Sequence, residues 1–382
     1  MTGRDQDRGF GVYVHWPYCA RICPYCDFNV YAAKARDTAP LFDAILKDLE
    51  GWRARTGERD VRSIYFGGGT PSLMTGEQVA RLIGHVGGLW RVAPDAEITL
   101  EANPDDAGRF GAFAEAGVNR LSLGLQSLDD DRLKFLGRTH SATDALAAFD
   151  AARGKFRSVS IDMIYAVPGQ SLDDWREELA GALGLGADHL SLYELSIEPG
   201  AAFAYAVKRK AWAPASDDQA AELYDVTQEM CAAAGLPAYE ISNHARNAAH
   251  RSVHNGLYWA SADWAGVGPG AHARLSVDGE RWAIEAADKP GDYLRRVQTK
   301  GLGWAEEERL DAVAQARERI AMGLRVEEGL ALADIEALGL KADETRIAAF
   351  VADGLMSRSD GRVALTQAGR LLADRIAAEI SP

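Results

Sequence analysis

The chain has 382 residues, 47% of them hydrophobic, which suits one large domain with a smaller one. Its formal net charge of −14 lacks the basic footprint of a nucleic-acid binder. No run of about 18 or more apolar residues occurs, so no membrane-spanning helix is expected. The short polar stretch Met1–Arg8 does not read as a signal peptide.

Phe10–Trp16 reads as a strand. The segment after it, Cys19-Ala-Arg-Ile-Cys23-Pro-Tyr-Cys26, holds three of the four cysteines at C-x3-C-x2-C spacing. Thiolates bind iron–sulfur clusters, and a four-iron cluster held by three of them keeps one iron open for a reactant. Two other readings stand beside this one. A structural zinc could take His15 as fourth ligand, although paired C-x2-C elements are absent. A disulfide fits poorly with an odd count and no secretion signal. Reduced thiols without an export signal point to the cytoplasm. The fourth cysteine, Cys231, lies in the helical stretch Ala220–Ala234 and reads as a small buried apolar residue.

Strand-like and helix-like segments then alternate. Apolar residues recur at helical spacing over Leu41–Trp52. Ser63–Phe66 is a strand, followed by a helix over Gly76–Leu89. Glu97–Glu101 is a strand, with a helix running to Ala116. Val118–Leu125 precedes helices ending near Arg153. Ser158–Val167 precedes a helix over Leu172–Leu185, and His189–Ile197 is a sixth strand. This alternation predicts an α/β fold of parallel strands joined by right-handed crossovers, a partial (β/α)6 TIM-like barrel. Polar and glycine signals fall at the strands' C-terminal ends: the cysteine loop, Gly67-Gly-Gly-Thr-Pro71, Glu101-Ala-Asn-Pro104, Gln126-Ser127, Asp162 and Tyr193-Glu194. In such a barrel these ends form the face that carries the site; an open doubly wound sheet, the alternative architecture, places its ligands at the same ends.

Beyond Gly200 the pattern loosens, with Pro237–Asn243 resembling one more strand. The expected division is a core over 8–245, a linker over 246–304 and a mostly helical C-terminal unit over 305–382. That unit's hairpin, Gly354–Leu365, turns at Asp360-Gly361, giving a winged-helix-like pattern. With 15 acids against 10 bases it is a poor phosphate binder.

C-x3-C-x2-C with Tyr25 before the last cysteine resembles the radical S-adenosylmethionine (SAM) superfamily. Tyr13–Cys19, Phe66–Ser72, Gly124–Ser127 and Asp162–Gln170 resemble one branch of it. That branch contains the oxygen-independent coproporphyrinogen III dehydrogenases and the HemW-type haem chaperones. The resemblance implies a [4Fe-4S] cluster on Cys19, Cys23 and Cys26, with SAM chelating the open iron. Gly67, Gly68 and Gly69 lack Cβ and let backbone approach the methionyl end, and Thr70 adds a hydroxyl there. Glu101 is placed to accept hydrogen bonds from ligand hydroxyls or an ammonium group, and by the same resemblance Tyr13, Gln126, Arg138 and Asp162 line SAM or a neighbouring ligand. A surface ion pair for Arg138 and a barrel-interior role for Gln126 are the structural alternatives.

Within the branch, Phe28 stands where the dehydrogenases resemble C-x3-C-x2-C-x-C, and their longer N-terminal extension is not seen. His254-Asn-Gly-Leu-Tyr258-Trp259 is similar to the H-N-x-x-Y-W motif of the HemW type. The resemblance therefore implies a haem chaperone that delivers haem to acceptor apoproteins, respiratory ones included, at the membrane surface, with the ability to dimerise. His254 as axial ligand beside Tyr258 is the expectation, against a loop-organising role, with His250 and His272 as competitors. The alternatives are a coproporphyrinogen III dehydrogenase, decarboxylating two propionates to protoporphyrinogen IX, and a radical SAM enzyme on an unrelated substrate.

Overall fold

The computed structural model describes residues 9–34 and 36–382. The lead-in Met1–Arg8 lies outside the described residues. The strands in chain order are β1 (Phe10–Trp16), the short β2 (Tyr18–Cys19) and β3 (Tyr31–Ala32), β4 (Asp60–Gly68), β5 (Arg91–Ala102), β6 (Arg120–Gln126), β7 (Ser158–Tyr165) and β8 (His189–Glu194). They continue as β9 (Asn243–Ala245), β10 (Asp263–Val267), β11 (His272–Val277), β12 (Glu280–Ala286) and β13 (Trp304–Arg309). A small C-terminal sheet holds β14 (Leu330–Ala331), β15 (Met356–Ser359) and β16 (Arg362–Leu365).

Eleven strands form one open sheet in the order β13-β12-β11-β10-β1-β4-β5-β6-β7-β8-β9. The six expected strands lie side by side in sequence order and pair in parallel. Helices connect them, three opening on a reciprocal cap: Thr75 with Gln78, Ser141 with Asp144 and Ser171 with Asp174. One face of each strand carries the core apolar set: Val12 and Val14, Ile64 and Phe66, Leu121 and Leu123, Ile161 and Met163. The alternate residues are polar or aromatic, and register aligns them across the concave face. Tyr13 lies opposite Tyr65, Glu101 opposite Ser122, Gly124 opposite Asp162 and Ser160 opposite His189. A period of two thus separates a dry outer layer from a polar interior that opens at the strand C-termini.

Three expectations change. The segment 246–304 is not a linker. Its β10 adds a seventh parallel strand beside β1, and β11 and β12 continue the sheet antiparallel. Short strands broken by Gly268, Gly270 and Gly279, all at positive φ, hide the alternation. Pro237–Ser242 is bent rather than a continuous strand, making only isolated bridges from Ala238 to His244 and from Glu240 to Val326; the buried Glu240 carboxylate accepts from Ser242 N and Asn243 Nδ2 at the bend, and β9 follows it. The C-terminal unit also begins later than 305, since β13 pairs with β12 in the large sheet.

The C-terminal unit has its own core, which includes Ile320, Leu330, Ile347, Val363 and Ile376. Its hairpin turns where expected, with Asp360 and Gly361 both at positive φ, as a two-residue turn of primed type requires. Cys231 is fully buried in the helix Asp217–Ala233.

Candidate functional site

A cavity of about 400 Å³ opens at the C-terminal ends of β4 to β8. Cys19, Cys23 and Cys26 all line it, together with Gly68, Gly69, Thr70, Glu101, Gln126, Arg138 and Asp162. Most of the residues singled out in the sequence therefore meet in one place. Tyr13 and Gly67 lie just beneath, packed against Tyr65 and Glu101.

The glycine run is demanded first by the protein itself. A Cβ on Gly67 would stand 2.9 Å from the Tyr65 ring, and one on Gly68 2.6 Å from the His15 ring. A Cβ on Gly69 would stand 2.8 Å from the Tyr18 carbonyl and 3.0 Å from Cys19 Sγ. Such distances are closer than a real Cβ tolerates, so only glycine lets β4 run under the cysteine loop. Gly69 N and Thr70 N donate to the carbonyls of Trp16 and Tyr18, fixing the loop's entry.

Arg138 anchors the loop from the other side. Its Nη1 donates to Cys23 Sγ at 3.3 Å, and its Nη2 donates to Asn103 Oδ1 and, at 3.4 Å, to the Gly124 carbonyl. Its Nε is buried without a partner, a donor left over inside the site. This is no surface ion pair. Gln126 adopts φ 67° beside an irregularity in the β6–β7 ladder. A non-glycine residue in that region stores strain, and such strain gathers at functional sites.

The floor carries two carboxylates. Tyr65 donates its phenol to Glu101 at 2.7 Å, and Ser122 and Ser160 donate to Asp162 at 2.6 and 3.1 Å. Burial pushes the Glu101 carboxyl up to about 7; the Tyr65 bond opposes this, the Asp162 charge adds to it and the Gly68 amide opposes it. Burial likewise raises the Cys19 thiol and pushes Cys26 up to about 11.

Three thiols from one loop lining a single cavity are the donor set of a four-iron cluster, in which each thiolate binds a different iron and one iron stays open. The zinc reading with His15 fails on geometry: its Nδ1 meets Tyr13 OH at 2.9 Å and its Nε2 meets the Asn29 carbonyl at 3.0 Å.

His254 takes the loop-organising position that was the alternative to axial ligation, with both ring nitrogens engaged. It is 1% exposed at the cavity's underside. Its Nδ1 lies 2.7 Å from Ser63 Oγ and its Nε2 2.7 Å from Tyr258 OH. Its ring stacks on Tyr65, and burial holds its pKa down at about 3. Val253 N and His254 N both donate to Glu97, so the helix Val253–Trp259 closes the sheet's lower end. Tyr258 is engaged with His254 and packs on Trp264.

Sequence reasoning missed Tyr65 and Ser122, which share the interior alternation with Gly67 and Gly124; that period was the available signal. Asn103 was read only as part of the strand-end segment Glu101-Ala-Asn-Pro104, and its bond to Arg138 needed the structure.

Residues 13–180 match the Radical SAM superfamily, and residues 310–372 match the HemN C-terminal domain. The chain is 38% identical over 373 residues to Heme chaperone HemW of Mycobacterium tuberculosis, covering 96% of this chain and 93% of that protein. It is 40% identical over 326 residues to mitochondrial radical S-adenosyl methionine domain-containing protein 1 of Bos taurus, covering 84% and 74%. Coproporphyrinogen III oxidase (HemN) from Escherichia coli shares the fold, with a TM-score of 0.82 at 22% identity over 98% of this chain and 90% of that one. The chain belongs to the radical SAM superfamily and, within it, to the family of heme chaperone HemW and its mitochondrial relatives.

Proposed function

We propose that this chain is a haem chaperone that carries a [4Fe-4S] cluster and SAM and passes haem to acceptor apoproteins. The observation that carries this reading is the similarity to Heme chaperone HemW along nearly the full length of both chains. A bound cluster and SAM would supply one-electron chemistry at the cavity. The chain's own residues bind, orient and exclude water. In this reading Cys19, Cys23 and Cys26 supply the three thiolates, and Arg138 braces Cys23. Gly67, Gly68, Gly69 and Thr70 shape the wall for the methionyl end. Glu101, Gln126 and Asp162 present acceptors to the ammonium and hydroxyl groups of SAM, with Tyr13 behind them. The acceptors are respiratory apoproteins met at the membrane surface from the cytoplasm, and two copies can pair during delivery. Among the described residues no helix is long and apolar enough to cross a membrane, which suits attachment through a partner.

Oxidative decarboxylation of coproporphyrinogen III is the second reading, favoured by the fold shared with the Escherichia coli oxidase. Against it, Phe28 stands where the dehydrogenase pattern has a further cysteine, and this residue lines the cavity while remaining 61% exposed. A phenyl group donates nothing to a metal. Two assays on anaerobically reconstituted protein separate the readings. Haem titration should develop a Soret band at micromolar protein, and coproporphyrinogen III with SAM and a reductant should release no carbon dioxide. Absence of haem binding overturns the chaperone reading; release of carbon dioxide establishes the second.

A further inference from the structure

His254 opens the H-N-x-x-Y-W motif, yet it lies sealed beneath the cavity. Its ring stacks on Tyr65, with centroids 4.8 Å and planes 24° apart. Tyr65 in turn donates to Glu101 Oε1 at 2.7 Å, and both residues line the cavity together with the three cysteines. We propose that His254 and Tyr65 are positioning residues for SAM: His254 braces the Tyr65 ring, and Tyr65 aims the Glu101 carboxylate at the ammonium group. The inference rests on the reading that this cavity holds SAM.

Each link is fixed from more than one side. Burial holds His254 neutral, so its ring carries one N–H and one lone pair. Ser63 Oγ and Tyr258 OH, each 2.7 Å from a ring nitrogen, engage one apiece and pin the imidazole. Ser63, Tyr65 and Gly67 stand on one face of β4, so the strand that anchors His254 also carries the phenol it braces. Gly11 on β1 lets the helix Val253–Trp259 come close. A Cβ there would stand 2.8 Å from Leu257 Cδ1 and 3.1 Å from Ser63 Oγ. A Cβ on Gly67 would likewise stand 3.1 Å from Glu101 Oε1, so the carboxylate has no slack on that side. Burial, and then the Glu101 charge, raise the Tyr65 phenol well above its ordinary range, so it keeps its proton and stays a donor. A hydrogen bond donated to a carboxylate favours the ionised form. The other titratable groups acting on Glu101 are Asp162 on β7, Tyr13 on β1, Tyr193 on β8, Tyr258 on the motif helix and Cys19 in the loop, and Arg138 shares the cavity. Among the described residues, Tyr65 supplies the side-chain hydrogen bond to Glu101 and the Gly68 amide the backbone one.

The test is Tyr65→Phe, which removes one hydroxyl and keeps the ring. SAM binding to the anaerobically reconstituted full chain is followed by calorimetry between about pH 6 and pH 8.5. Its midpoint should move up by about one pH unit, the worth of one hydrogen bond to a charged group. At pH 7 affinity should fall about fivefold, and near pH 8.5 it should approach wild type. Without cluster or SAM, the melting temperature of Tyr65→Phe should keep falling with pH to about 8, whereas wild type levels off at about 7. His254→Ala should weaken SAM binding in the wild-type background and add nothing in the Tyr65→Phe background, because it acts through that ring. Thermal melts check that each variant folds, and Tyr65→Phe decides the matter alone where His254→Ala does not. An unshifted binding profile in folded Tyr65→Phe overturns the proposal and leaves the SAM reading standing. Equal losses from His254→Ala in both backgrounds overturn the part given to His254. If reconstituted wild type binds no SAM, the reading and the inference fall together.

Discussion

Arg138 donates to Cys23 Sγ at 3.3 Å while its other terminal nitrogen reaches Asn103 and the Gly124 carbonyl, tying the cysteine loop to the ends of β5 and β6. The planar fork matters here, because a lysine ammonium cannot span a sulfur and two oxygens in fixed directions. Arg138→Lys should leave the fold intact but lower cluster content per chain, and weaken SAM binding by about tenfold, the loss of one charge-assisted hydrogen bond. Iron and sulfide analysis with calorimetric SAM titration reads both effects. Wild-type values for both would show that Arg138 is dispensable to the loop.

Gly69→Ala tests the close packing of β4 beneath the loop. The new Cβ meets two carbonyl oxygens and the Cys19 sulfur at 3.0 Å or less, so the loop must shift. Reconstituted protein should show reduced visible cluster absorbance, with a melting temperature lowered by a few degrees at most. Cys23→Ser should abolish that absorbance altogether, and its survival would remove Cys23 from the ligand set.

Glu101 sets a pH dependence whose sign follows from its surroundings. Its folded pKa of about 7 lies above the ordinary value of 4.5. The native state therefore binds more protons than the unfolded one between these values, and stability falls as pH rises through that window. Glu101→Gln removes the penalty. Its melting temperature relative to wild type, measured without ligand, should rise from pH 4.5 to pH 7 and then level off. SAM binding to wild type should tighten over the same range, since the carboxylate is the form that accepts hydrogen bonds from a cation. A flat difference in melting temperature would contradict the buried-carboxylate account.

His254→Ala should act on stability rather than on haem. It leaves the Ser63 and Tyr258 hydroxyls without their common partner in a sealed site and opens a cavity. The expected loss is about 2–4 kcal/mol in denaturant unfolding. Haem affinity of the folded variant should stay within about twofold of wild type, well below one decade. A large loss of haem affinity with unchanged stability would return the axial role to this residue.

Much of the site was legible because its signals are local. Cysteine spacing, a glycine run and a strand–helix alternation are each read within a few residues, and Gly76–Leu89 even has the bounds the sequence suggested. The interior register was legible in part: Ser63, Tyr65 and Gly67 alternate with apolar neighbours, but nothing local says which face looks inward. For His254 the sequence offered two roles, axial ligand and loop organiser, and could not choose between them. Tyr258 lies one turn along its own helix, but Ser63 comes from β4, 191 residues away, and burial of a ring depends on what packs over it.

The sequence by itself determined the cluster chemistry, the parallel α/β core and the hairpin of the C-terminal unit, because spacing, periodicity and turn residues act between near neighbours. Only the tertiary structure decided that residues 246–304 extend the sheet, that Arg138 reaches Cys23, and that His254 is closed. Those outcomes depend on which distant strands share a ladder, and solvent access to a side chain is a property of the packed whole.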